Sequence, residues 1–117
     1  MDLDNATAIH AEWKLTLRTA ILKKEPMDAV TVSLDSDCEL GKWLHGEAHA
    51  TYSHLESYPA CVAKHATFHS VAGKVAAEIN KGNYSEAEAM LAAGTDYANA
   101  SSDVRLAILH LKQEAGL

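Results

Sequence analysis

The chain has 117 residues, 48% of them hydrophobic and 22% charged, with a formal net charge of -6. That length predicts one domain, 1–117, with a real core but no room for a second one. Ten scattered Lys and Arg in an acidic chain exclude the basic footprint of a nucleic-acid binder and any pull toward anionic membranes.

No stretch approaches the roughly 20 apolar residues that span a bilayer, so no membrane insertion is expected. The N-terminus, Met1-Asp2-Leu3-Asp4-Asn5, lacks the apolar run of a signal peptide. The expected location is therefore the cytoplasm, where Cys38 and Cys61 stay reduced. A cysteine in that compartment reads as metal-binding, reactive or buried rather than as half of a bridge.

The first periodic segment carries Ala6, Ile9, Trp13, Leu17, Ala20 and Ile21 in steps of mostly three or four, the pattern of an amphipathic helix. His10 lies on the same stripe. Pro26 predicts a stop near Glu25. Residues 26–35 read as a loop, with Val30-Thr31-Val32 as a short extended piece. Ser36-Asp37-Cys38-Glu39 reads as a capping box, with Ser36 as N-cap of a helix that ends near Gly46. Residues 46–57 read as a turn mixed with a short helical segment. A longer helix follows from about Tyr58, capped by Ser57, with Pro59 in its first turn. Its stripe is Val62, His65, Phe68, His69, Ala72, Val75, Ala76 and Ile79, and Gly82 ends it. Ser85-Glu86-Ala87-Glu88 reads as a second capping box. It opens a last helix through Leu91, Ala98, Val104, Ile108 and Leu111, with a kink at Gly94 and Thr95. The expected fold is all-α: an antiparallel four-helix bundle with a short extra helix carrying Cys38.

Seven histidines stand in the chain, and their placement carries the functional reading. His65 and His69, four apart on one helix, project from the same face and can bite one metal ion. Cys38 falls at a helix start, where free N–H groups and the helix dipole favour a thiolate. His10 faces the core from the first helix, and a buried imidazole needs a partner or a metal. One sulfur and three imidazole nitrogens suit tetrahedral zinc. On patterning alone Cys61 remains a rival for Cys38. His45 and His49, also four apart, remain a rival pair, although both read with His54 as surface residues. His110 also reads as exposed.

Three motifs combine these residues: His10-Ala11-Glu12-Trp13-Lys14, Cys38-Glu39-Leu40-Gly41-Lys42-Trp43-Leu44 and His65-Ala66-Thr67-Phe68-His69. In order and spacing they resemble the signatures of the chemoreceptor zinc-binding (CZB) domain family, over roughly residues 4–112. The resemblance implies a four-helix bundle whose zinc is held by His10, Cys38, His65 and His69. It also implies a cytosolic regulatory domain, free-standing or attached to a chemoreceptor or a diguanylate cyclase. Zinc sensing, response to oxidants such as hypochlorous acid through the zinc-bound cysteine, and homodimers belong to the same implication. No signalling module lies within the 117 residues, so the expectation is a free-standing protein or a piece of a longer one.

Two other classes compete. A hemerythrin-like di-iron bundle needs bridging carboxylates, and His110-x-x-x-Glu114 is the one His-x-x-x-Glu pair, at the far end of the chain. A zinc hydrolase of the His-Glu-x-x-His type needs a Glu where Ala66 stands. Four protein ligands would close the shell and point to a non-enzymatic site.

Overall fold

A computed structural model describes residues 1–117. The chain is all-helical. Its helices are α1 (Leu3–Lys23), α2 (Ala29–Ser33), α3 (Glu39–His45), α4 (Glu47–Tyr52), α5 (Ser57–Asn80), α6 (Tyr84–Met90) and α7 (Asp96–Ala115), with a 3-10 turn at Asp35–Asp37.

The three long helices α1, α5 and α7 form the body. Ser57 meets Glu114 and Lys64 meets Asp103, so α7 runs antiparallel to α5. Asp4 meets Lys112, so α7 is antiparallel to α1 as well. Between α1 and α5 the chain returns as short pieces. Met27 lies beside Asn80 near the end of α5, Val32 beside His69, and Leu44 beside Tyr58 at its start. The core joins Leu17, Leu40, Leu44, Phe68, Val75, Ile79, Leu91, Val104, Ile108 and Leu111, all nearly inaccessible. Burying such side chains is the main force holding these helices together, at about 1.5–3 kcal/mol each.

Local chemistry explains where the helices begin and end, and it departs from the sequence reading in places. Asp2 caps α1 by accepting from the Asn5 N–H, so the helix starts earlier than Ala6. Ile9 is exposed, unlike the rest of its expected stripe. Val30-Thr31-Val32 is helical rather than extended, because Asp28 accepts from both the N–H and the hydroxyl of Thr31. An Asp at the cap position outweighs the β-preference of two valines. Ser57 does not cap α5. It is the first residue of that helix, and its N–H and hydroxyl donate to the Glu114 carboxylate. Ser85 does not cap either, and lies inside α6.

The expected kink at Gly94 and Thr95 is a full break between α6 and α7. Gly94 takes φ +80°, which suits glycine. Thr95 then caps α7, its hydroxyl accepting from the Ala98 N–H at 3.3 Å. Thr95→Ala is expected to cost about 1 kcal/mol, read as a drop of roughly 4 °C in melting temperature. An unchanged melting temperature would remove the cap from the account of this break.

Candidate metal centre

α1 delivers His10 to the core because Leu3, Ala6, His10 and Leu17 share its buried face. α5 delivers His65 and His69 one turn apart, next to Phe68. Cys38 arrives differently. The chain leaves the 3-10 turn in extended geometry at Cys38, and α3 begins at the next residue. Cys38 is therefore itself the N-cap of α3, its Sγ accepting from the Gly41 N–H at 3.4 Å. The expected Ser36 cap is not formed, because the 3-10 turn takes up that residue.

The four donor atoms lie within 4.8 Å of one another. His65 Nε2 stands 3.1 Å from both His10 Nε2 and His69 Nε2. Cys38 Sγ stands 3.2 Å from His65 Nε2, 3.5 Å from His69 Nε2 and 3.9 Å from His10 Nε2. A tetrahedral zinc with ordinary Zn–N and Zn–S bonds needs donor–donor separations of about 3.3–3.6 Å, a range that these distances bracket, so shifts of a few tenths of an ångström would bring the four donors to that geometry.

The outer nitrogens strengthen the match. His10 Nδ1 lies 2.7 Å from the Ala6 carbonyl, and His69 Nδ1 lies 2.9 Å from the Val32 carbonyl. A carbonyl only accepts, so each Nδ1 carries the proton and donates it. In the neutral ring each Nε2 is then a bare lone pair facing the centre. Burial holds His10 below the ordinary histidine value and pushes His65 down to about 3, so both rings are neutral at pH 7. His65 Nδ1 is buried without a partner. Lone pairs that converge in a buried site repel one another unless a cation lies between them. The donor set thus suits a borderline-soft divalent ion, and it contains no carboxylate to bridge two irons.

Cys38 corrects one expectation. The helix start favours its thiolate through the Gly41 N–H, but burial is the larger effect and raises the thiol above its ordinary value. A cation at the centre reverses that balance, since a coordinating thiol loses its proton.

The rivals lie elsewhere. His45, His49, His54 and His110 are exposed. His45 Nε2 pairs with the Asp35 carboxylate at 2.9 Å. Cys61 is fully buried in the apolar core, and burial pushes its thiol up to about 12, which makes it inert. Patterning missed the carbonyls of Ala6 and Val32. The first follows from the ordinary i to i-4 relation along α1. The second is long-range and leaves no trace in the local sequence.

Fold and donor set define a helical domain built around one buried metal centre. Residues 10–76, more than half of the chain, match the family described as the chemoreceptor zinc-binding domain. The chain belongs to that family, and its metal is zinc. No curated protein and no solved structure gives a match. No helix is long and apolar enough to cross a membrane.

Proposed function

We propose that the chain is a single cytoplasmic regulatory domain in which His10, Cys38, His65 and His69 ligate one zinc ion and Cys38 is the ligand that lets go. The observation that carries this reading is the convergence of four donor atoms, three on buried histidines and one on the half-buried Cys38, with two of the histidines already tied to a carbonyl through the outer nitrogen. Zinc bound there holds Cys38 as a thiolate. Four protein ligands leave no open position for a hydrolytic water, so the site serves sensing rather than catalysis.

The ligands differ in how firmly they are held. The three histidines sit on long packed helices, whereas Cys38 sits at the end of an irregular connection. A cleft of about 130 Å³, lined by Trp13, Val32, Leu34, Cys38 and His69 among others, reaches the sulfur. A small oxidant such as hypochlorous acid gains access that way. It converts the thiolate to a sulfenic acid and leaves as chloride, and the sulfur then loses its hold in the site. Trp13, edge-on to His69 with ring centroids 6.5 Å apart, is placed to report the change. The output is a chemotaxis or cyclic-di-GMP module in cis or in trans, and the working unit is a homodimer.

Metal analysis tests the ligand set. Wild type is expected to carry one zinc per chain, and His10→Ala, Cys38→Ser, His65→Ala and His69→Ala far less. Two irons with a visible charge-transfer band would replace this reading with the di-iron one. The redox step is tested by tryptophan fluorescence with stoichiometric hypochlorous acid. An identical response from wild type and Cys38→Ser would sink it.

A further inference from the structure

The connection from α1 to Cys38 is held to α5 at three points. At the far end Asn80 grips the backbone of Met27: the Met27 N–H donates to Asn80 Oδ1 at 2.8 Å, and Asn80 Nδ2 donates to the Met27 carbonyl at 2.7 Å. In the middle, α2 lies directly on Gly73. A Cβ added there would stand 2.6 Å from Ser33 Cβ and 3.1 Å from Ser33 Cα, closer than side chains pack. One turn before Gly73, His69 Nδ1 donates to the Val32 carbonyl. Five residues after Ser33 comes Cys38 itself.

We propose that residues 26–38 act as a strap that presets the metal centre, with Gly73 and Asn80 as positioning residues that set how the strap seats on α5. The proposal rests on the reading of His69 and Cys38 as ligands. Its physical basis is the small purchase the strap has on the core. A five-residue helix is not stable by itself, and Val32 is the one fully buried side chain of α2, with Met27 and Ala29 only partly buried against the core. Its seat therefore depends on the Asn80 grip, the missing side chain at Gly73 and the His69 bond. That bond orients the imidazole, and an outer hydrogen bond of this kind commonly governs metal affinity by about 10- to 100-fold. Linkage makes the coupling reciprocal: whatever unseats the strap weakens the metal by the same factor as the metal seats the strap. The strap thereby joins metal occupancy to a surface element that carries the exposed apolar side chains Val30 and Leu34.

The test measures zinc affinity of the full chain by competition with a chromophoric chelator. Gly73→Ala and Asn80→Ala are each expected to weaken binding by about 10- to 100-fold. Adding Ser33→Gly to Gly73→Ala removes the opposing Cβ and is expected to recover most of the loss. Gly94→Ala, strained at its positive φ but remote from the strap, is expected to lower the melting temperature and leave the affinity unchanged. The His69 Nδ1–H proton, followed by NMR, is expected to exchange faster in the two strap variants than in Gly94→Ala. Wild-type affinity in both Gly73→Ala and Asn80→Ala would overturn the proposal, as would an equal loss in Gly94→Ala. Asn80 is exposed, so its variant decides the matter if Gly73→Ala does not fold. His65→Ala keeps the two readings apart. If it retains zinc, the ligand set is wrong. If it loses zinc while the strap variants do not, only the strap fails.

Discussion

Removing zinc with a chelator at neutral pH is expected to lower the melting temperature by on the order of 15 °C. The four proposed ligands come from α1, from the cap of α3 and from α5, so an ion held by them would crosslink segments far apart in sequence. A ligand that binds only the folded chain stabilises it by about 4 kcal/mol at a free concentration a thousandfold above its dissociation constant. Thermal scans of loaded and chelated protein check this, and coincident curves would mean that the centre contributes nothing to stability. The sign of the pH effect follows from the histidines. Burial holds His10 and His65 below their ordinary value, His65 at about 3. Below pH 6.5 the unfolded chain therefore takes up protons that the folded chain refuses. Stability falls as the pH drops from about 6.5 toward 3. Protons also compete with zinc for the same nitrogens, so the loaded protein loses stability in the same direction.

Gly41→Ala is expected to cost the domain most of its zinc affinity, a loss comparable to that of Cys38→Ser. A Cβ at Gly41 would fall on the Asp35 carbonyl oxygen, with the carbonyl carbon 2.7 Å away and Ser36 Cα 3.1 Å away. All three are backbone atoms, so relief comes only by moving the 3-10 turn or tilting α3. Either motion shifts Cys38, which lies between them and faces the Asp35 carbonyl through its Sγ. Alanine keeps the N–H that donates to Cys38 Sγ, so the loss measures space rather than a missing donor. Overpacking of this kind typically costs about 1–3 kcal/mol of stability. Chelator competition together with a thermal scan separates the two effects. Wild-type zinc affinity in Gly41→Ala would show that the close approach of α3 to the turn is irrelevant to the site.

Much of the site is written locally. Four-residue spacing puts His65 and His69 on one helix face whatever surrounds them, and the apolar steps around Ala6 and Leu17 turn His10 inward. Periodicity and glycine punctuation also place α1, α5 and the end of α3 to within a few residues, because these features act over a single turn. Short-range competition is harder to read. Whether Asp28 or the β-branched pair governs residues 29–33, and whether Ser36 or Cys38 caps α3, depends on contacts that a local pattern does not contain. The exclusion of Cys61, His45 and His49 on physical grounds also required three dimensions. Burial in the core silences the Cys61 thiol, and His45 turns outward to Asp35.

At the centre, local patterning supplies the donor types and turns His10, His65 and His69 inward from their helices. The meeting of one sulfur and three imidazole nitrogens within 4.8 Å depends on how the helices pack. Packing also brings the Val32 carbonyl, 37 residues away in the chain, to His69 Nδ1 and so fixes which ring nitrogen carries the proton. The difference is one of range. Helix periodicity and capping are set by neighbours three or four positions apart, whereas a convergent donor set depends on how packed helices and a thin strap settle against one another.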